Sequence, residues 1–137
     1  MRFLVIEDAP IARKLLFLHL SGFGQCDVAS DGEEGVAAFC KALEEKQPYD
    51  LICLDIMMPG LNGHQVLQQI RSLEESNGIL GLDGVKIIMT TALDDSKNVM
   101  GAFREGCEVY LVKPIRKDRL IDEMQKLGLH LDVTSSS

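Results

Sequence analysis

Five polar side chains follow apolar segments of the sequence, at positions where they could take part in phosphoryl chemistry. They are Glu7 and Asp8 after RFLVI, Asp55 after LICL, Thr91 after VKIIMT, and Lys113 after VYLV. A carboxylate such as that of Asp55 can act as a nucleophile and accept a phosphoryl group as an acyl phosphate. The Pro-Gly turn that closely follows Asp55, in the stretch DIMMPG, is typical of a side chain that a strand end exposes.

The three carboxylates among these residues point to a cation. Two unit charges about 4 Å apart repel by ~4 kcal/mol at an effective dielectric of 20, so three neighbouring acids need a counter-charge. Mg²⁺ prefers oxygen ligands, keeps several waters and is common at phosphoryl sites. If Glu7, Asp8 and Asp55 meet, the sequence predicts a site for Mg²⁺ or Mn²⁺.

Alternating strands and helices are expected to bring these residues together. Short apolar segments predict strands at 2–6, 26–29, 51–54, 85–90 and 109–112. Helices are predicted at 10–20, where Ile11, Leu15 and Leu18 repeat at helical spacing, and after Ser30 or Asp31 as a cap. Three more are predicted at about 63–73, 94–104 and 116–127.

This alternation predicts an α/β fold with a doubly wound, five-stranded parallel sheet, flavodoxin-like, with helices on both faces and strand order 2-1-3-4-5. The runs LICL and VKIIM are nearly all apolar, as in strands buried on both faces. In that order the strands carrying the five residues are neighbours, and ligands bind at their carboxyl ends. A Rossmann dinucleotide fold is disfavoured, because the glycine-rich motif expected after the first strand is replaced by EDAPIA. Taken singly, Asp8 could cap a helix, Thr91 could begin a turn, and Lys113 could be a solvated charge.

Composition restricts the partners. The 137 residues suit one domain, expected at 1–128 with a polar tail at 129–137. With 14 basic and 21 acidic residues the net charge is −7, which disfavours nucleic acid and anionic membranes as partners. No apolar run approaches the ~20 residues of a membrane span. The four cysteines lack metal-binding spacing, and the sequence predicts a reduced, cytoplasmic protein.

In combination, these motifs resemble the receiver domain of bacterial two-component response regulators. The matching set is Glu7-Asp8, Asp55 with MMPG, Thr91-Ala92 and YLVKP around Lys113, in the family's order and over residues 1–128. The resemblance implies a phosphoacceptor in a phosphorelay, served by a sensor histidine kinase or phosphotransfer protein, and not an enzyme beyond self-phosphorylation and self-dephosphorylation. One departure is the long, glycine-rich connection EESNGILGLDG at 74–84.

The resemblance also implies roles for single residues. Asp55 would be the phosphoacceptor, and Asp8 and Asp55 would bind Mg²⁺ directly, with Glu7 acting through water and Met57 through its backbone carbonyl. Lys113 would balance the charge on the phosphoryl oxygens, and its peptide bond to Pro114 is predicted to be cis.

Signalling would follow from a conformational switch. The resemblance implies that the Thr91 hydroxyl moves toward the phosphoryl group and that Tyr110 then turns inward. A downstream protein effector would bind the surface formed by the fourth helix, the fifth strand and the fifth helix, where Arg116, Lys117 and Arg119 form a small basic cluster. No output domain is expected after residue 128, so the signal is expected to pass by protein docking.

Three alternatives remain open. A haloacid-dehalogenase-type phosphatase would need a general acid two positions after Asp55, where this chain has Met57. A pseudo-receiver that binds partners without phosphorylation usually lacks one of the five residues, and none is missing. A receiver domain excised from a larger regulator with an effector domain would have the same sequence features, with the serine-rich tail as the start of a linker.

Overall fold

The computed structural model describes residues 1–92 and 106–131, apart from the side chain of Leu82. The fourth predicted helix, at 94–104, lies outside these residues. Leu93, which the family resemblance predicts to cover, with Met57, the approach of water to Asp55, also lies outside them. The described elements, in chain order, are β1 (Arg2–Ile6), α1 (Pro10–Leu20), β2 (Gln25–Ala29), α2 (Gly32–Glu44), β3 (Leu51–Asp55), α3 (Gly63–Ser76), a 3₁₀ turn (Gly81–Asp83), β4 (Lys86–Thr91), β5 (Val109–Val112) and α4 (Lys117–Lys126).

The five strands form one parallel sheet in the order β2-β1-β3-β4-β5, which confirms the predicted topology. β3 lies at the centre, and all five of its residues are buried. Since parallel strands share a direction, the carboxyl ends of β1, β3, β4 and β5 meet along one edge of the sheet. The residues predicted to do chemistry follow or end these four strands.

Alternate residues of each strand pack into one of two cores. The first core, here the α2 face, lies against α2 and α3 and includes Leu4, Ile6, Phe39, Ile52, Leu54, Val66, Ile70, Ile87 and Met89. The second, here the α1 face, lies against α1 and α4 and includes Phe3, Val5, Leu16, Leu20, Leu51, Cys53, Ile88, Leu111, Leu120 and Met124. This two-sided burial is the reason that the central strands are continuous apolar runs.

Helix α1 spans the predicted residues but buries a different face. Leu16 and Leu20 are buried, whereas Ile11 is 86% exposed and Leu18 is 56% exposed. The helix carries two apolar stripes, and the sheet accepts only one of them. The residues whose spacing indicated the helix therefore lie on its outer surface.

Side-chain caps mark the first residues of α2 and α3. The Asp31 side chain accepts a hydrogen bond from the Glu34 amide and caps α2, as one of the two predicted caps. At α3, the Asn62 side-chain oxygen accepts a hydrogen bond from the Gln65 amide, and the Gln65 side-chain oxygen accepts one from the Asn62 amide, which forms a capping box. The helix runs to Ser76, three residues beyond the predicted end. Strand β3 extends to Asp55, which pairs with Thr90 of β4. Strand β4 extends to Thr91, which pairs with Val112 of β5.

Beyond α4, Leu129 and Leu131 pack on the α1 face, so apolar packing continues past residue 128 and the predicted domain boundary stays a prediction. All four cysteines are free, with Cys53 and Cys107 buried. Among the described residues, no helix is long and apolar enough to cross a membrane.

Candidate functional site

Three carboxylates meet at the carboxyl edge of the sheet. Glu7 and Asp8 follow β1, and Asp55 ends β3. One oxygen from each carboxylate lies within 4.8 Å of those from the other two. Glu7 and Asp55 are buried, while Asp8 is partly exposed, so the cluster opens to solvent on the Asp8 side. The prediction that these acids converge is confirmed.

Lys113 reaches into this cluster from the end of β5. Its Nζ forms an ion pair with Glu7 Oε1 and lies 3.3 Å from Asp55 Oδ1. The Lys113 amide donates to the Thr91 carbonyl at 2.7 Å, which holds the exit of β5 beside the end of β4. The Lys113–Pro114 peptide bond is cis, as predicted.

The electrostatics of the cluster are strongly perturbed. Burial, a hydrogen bond with Glu7 and repulsion from the Glu7 charge raise the pKa of Asp55 from 3.8 to about 7, although Lys113 acts in the opposite direction. Burial lowers the pKa of Lys113, but its contacts with Glu7 and Asp55 outweigh this effect and the pKa is raised above its ordinary value. A lysine that stays charged beside these carboxylates can hold an anionic group next to Asp55.

The loop after β3 positions Asp55 and its surroundings. Gly60 has a φ of 73°, a conformation that favours glycine, and it completes the Pro-Gly turn. At Gly63, a Cβ atom would lie 2.4 Å from the Asp55 carbonyl oxygen, so only glycine lets α3 begin this close to β3. The Met57 amide lies 3.4 Å from Asp55 Oδ1, and the Met57 side chain is 65% exposed.

Thr91 and Tyr110 occupy positions consistent with the predicted switch. Thr91 is the last residue of β4 and is 3% exposed, and it lies beside the crevice. Tyr110 in β5 is half-buried and packs against the α2-face core. The coupling between these residues stays a prediction, and the segment that would connect them through the fourth predicted helix lies outside the described residues.

Arg13 is a residue of this region that the sequence analysis did not identify. Its Nη1 donates to the backbone carbonyl of Glu7 at 3.0 Å and lies 3.4 Å from that of Asp8. It therefore fixes the backbone of the acid pair from the first turns of α1. The sequence gives only a weak signal for this role. An arginine in the first turn of a helix is equally compatible with a solvent-exposed side chain.

The cluster suits a divalent cation. The cluster holds three carboxylates, and Lys113 pairs with two of them, Glu7 and Asp55. The acids therefore outnumber this ammonium group, and every candidate ligand atom is a hard oxygen. Hard cations such as Mg²⁺ bind such oxygens and retain several waters. The partly exposed side of the cluster, at Asp8, leaves room for those waters. The residues present therefore fit the predicted metal.

Comparisons with known proteins agree with this geometry. Residues 3–125 match the model of the response regulator receiver domain. The transcriptional regulatory protein ResD of Bacillus subtilis is 34% identical over 135 residues, which cover 98% of this chain and 50% of ResD. Chemotaxis protein CheY of Listeria monocytogenes is 28% identical over 126 residues, covering 92% of this chain and 97% of CheY.

The solved structures show the same fold. A chain of the CheX–CheY–BeF3–Mg²⁺ complex from Borrelia burgdorferi superimposes with a TM-score of 0.80 at 23% identity, covering 95% of this chain and 90% of that one. The chain spans about half the length of several transcriptional regulators that it matches, ResD among them, and nearly all of the Listeria CheY. The matched family is one of signalling proteins. The chain belongs to the response regulator receiver domain family of two-component signalling.

Proposed function

We propose that Asp55 accepts a phosphoryl group from a histidine kinase or a phosphotransfer protein. The observation that carries the proposal is the buried Asp55 carboxylate at the crevice, with Lys113 Nζ 3.3 Å from its Oδ1 and two further acids beside it. Phosphoryl transfer to a carboxylate uses three parts: a nucleophile, a set of oxygens that binds a cation, and a fixed ammonium group.

The proposed transfer moves a phosphoryl group from a histidine nitrogen to an oxygen of Asp55. An oxygen of the Asp55 carboxylate attacks the phosphorus of a phosphohistidine, and a new O–P bond forms as the N–P bond breaks. The electron pair of the broken bond stays on the imidazole nitrogen, which takes up a proton. Lys113 contributes its charge to the phosphoryl oxygens, and Thr91 contributes its hydroxyl from the end of β4.

The same residues would hold Mg²⁺ or Mn²⁺. Asp8 and Asp55 are proposed as direct ligands, with Glu7 acting through water and Met57 through its backbone carbonyl oxygen. When bound, the cation offsets the negative charge of the phosphoryl oxygens. The convergence of the three carboxylates supports this assignment. Arg13 fixes the position of the acid pair, because it donates to the backbone carbonyls of Glu7 and Asp8.

The surface around the crevice offers a docking site for the phosphodonor. Ile11 and Leu15 on the outer stripe of α1 form, with Pro114, an apolar groove directly beside Lys113. A donor protein that brings a phosphohistidine to Asp55 must cover this rim. The exposure of Ile11, at 86%, leaves an apolar contact for such a protein.

The signal is proposed to leave through Tyr110 and the surface of β5 and α4. A groove there is lined by Tyr110, Val112, Arg116 and Arg119, and the Val112 side chain is 46% exposed. Phosphorylation would bias Thr91 and Tyr110, and a protein effector would bind the changed surface. The third part of that predicted surface, residues 94–104, is not among the described residues.

The match to ResD favours a second form of the same function. Because the chain spans half of that relative, the domain is equally suited to control an effector domain in a longer regulator. The reading frame beyond residue 137 distinguishes a stand-alone receiver from this form. The phosphoacceptor and its site would be the same in both.

The test is phosphorylation by a small donor. With acetyl phosphate and Mg²⁺, intact-protein mass spectrometry should show the gain of one phosphoryl group, and Asp55→Asn should abolish it. Asp50→Asn is the matched control, because Asp50 lies at the opposite end of β3 and outside the crevice, and it should be phosphorylated like the native chain. Uptake by the Asp55→Asn variant at the native rate would contradict the proposal, and so would the absence of uptake by the native chain.

A further inference from the structure

Thr90, next to the predicted switch residue, is an unexplained polar residue. It is 1% exposed, and its Oγ1 is buried with no hydrogen-bond partner among the residues that the structure describes. Buried hydroxyl groups nearly always have a partner, because an unmade hydrogen bond in the interior is costly. A buried hydroxyl next to a reactive carboxylate therefore points to a partner that is engaged in another state of the site.

The strand register places Thr90 beside Asp55. The two residues are paired across β3 and β4, and Glu7 follows Ile6, which pairs with Leu54. Side chains alternate along a strand, and Cys53 and Ile88, two positions earlier, both pack in the α1-face core. Asp55 and Thr90 therefore share that face and form one row with Glu7.

A hydrogen bond between these row neighbours is sterically feasible. Neighbouring strands lie about 4.8 Å apart, so a hydroxyl and a carboxylate on paired residues can meet after rotation to another staggered side-chain conformation. Asp55 Oδ1 faces Lys113 Nζ and the Met57 amide, both on the rim of the crevice. Thr90 approaches from within the sheet, so it can hold the carboxylate without blocking the solvent side.

We propose that Thr90 is a positioning residue for Asp55: its hydroxyl donates to the ionised Asp55 carboxylate and holds it toward the incoming phosphoryl donor. The consequence for phosphorylation rests on the proposed function, whereas the contact itself does not. The proton remains on the Thr90 oxygen throughout, and no bond of Thr90 is made or broken. Loss of the hydroxyl should reduce the rate of transfer and leave the binding of the donor nearly unchanged.

The contact is tested first without metal or donor. Thr90→Val keeps the side-chain shape and removes the hydroxyl, and Thr90→Ser keeps the hydroxyl. Each is placed in the native chain and in an Asp55→Ala chain, and the midpoints of urea unfolding are compared near pH 8 in a metal chelator. We expect Thr90→Val to lower the midpoint in the native chain and to raise it in the Asp55→Ala chain, with a smaller change for Thr90→Ser.

A matched control separates packing from hydrogen bonding. Ile88→Val lies two positions earlier on the same strand and face, and it should lower the midpoint equally in both backgrounds. An increase of equal size on Thr90→Val in both backgrounds would overturn the proposal, since an unbonded hydroxyl is relieved equally with or without Asp55.

The second measurement is the rate of phosphorylation by acetyl phosphate in excess Mg²⁺. Thr90→Val should lower the maximal rate about tenfold, equivalent to about 1.4 kcal/mol of barrier, with the half-saturating donor concentration within about twofold of native. Thr90→Ser should restore most of the rate, and Ile88→Val should not change it. Equal rates for native and Thr90→Val chains would overturn the proposal even if the stability measurement shows coupling. If the native chain is not phosphorylated, the proposed function fails, while the stability measurement still decides the contact.

Discussion

Replacing Asp55 by asparagine should stabilise the metal-free protein. Folding moves the pKa of Asp55 from 3.8 to about 7, so the folded chain binds this proton more tightly than the unfolded chain does. Between these two pH values the free energy of unfolding falls as pH rises, because the unfolded chain releases the proton of Asp55 while the folded chain still retains it. An asparagine side chain has the shape of a protonated aspartate, and the substitution would remove this cost.

The magnitude follows from the shift. About 3 pKa units at ~1.36 kcal/mol each give a penalty of about 4 kcal/mol once Asp55 is ionised, near pH 8. Near pH 5 the folded chain still holds the proton, and the expected penalty is below about 2 kcal/mol. The Asp55→Asn variant should therefore gain more stability over the native chain near pH 8 than near pH 5.

The assay is urea unfolding of both chains with a metal chelator at the two pH values. Asp122→Asn is the control, because this exposed aspartate on α4 pairs with Lys126 at the surface, and the substitution should change stability by less than about 0.5 kcal/mol at either pH. If Asp55→Asn is no more stable than the native chain near pH 8, or if its gain is equal at the two pH values, the crowded carboxylate account is wrong.

Three further results are expected. Mg²⁺ at about 100 times its Kd should raise the free energy of unfolding by about 2.7 kcal/mol, and Asp8→Asn should weaken this response in a thermal-shift titration; an undiminished response would remove Asp8 from the cation site. Gly63→Ala should destabilise the fold by about 2 kcal/mol or more, because the new Cβ would meet the Asp55 carbonyl oxygen, while Gly22→Ala, with open space around it, should be nearly neutral in the same urea unfolding. Met57→Asn should shorten the lifetime of the Asp55 phosphoryl group about tenfold, because the exposed methionine can cover the approach of water and cannot orient it; decay of the label in excess Mg²⁺ at equal rates would exclude that role.

Much of the fold could be predicted from local sequence. The strands and most helix boundaries follow from short apolar runs and caps, and these depend on residues close together in the chain. Asp31 is one such case, since a side chain that caps its own helix needs no distant partner. The strand order followed from the alternation of strands and helices, so the sequence alone indicated which strand ends would meet.

The buried side of α1 and the contacts within the site were decided only by the tertiary structure. Two apolar stripes run along α1, and the sheet, not the spacing, selected Leu16 and Leu20 over Ile11 and Leu18.

The raised pKa of Asp55, the ion pair between Lys113 and Glu7, and the burial of the Thr90 hydroxyl depend on distances between residues far apart in the chain. The sequence by itself determined which chemical groups stand at the strand ends, because that follows from local order along the chain. How those groups interact is set by strand register and by the exclusion of water, and both arise only when the whole sheet has formed.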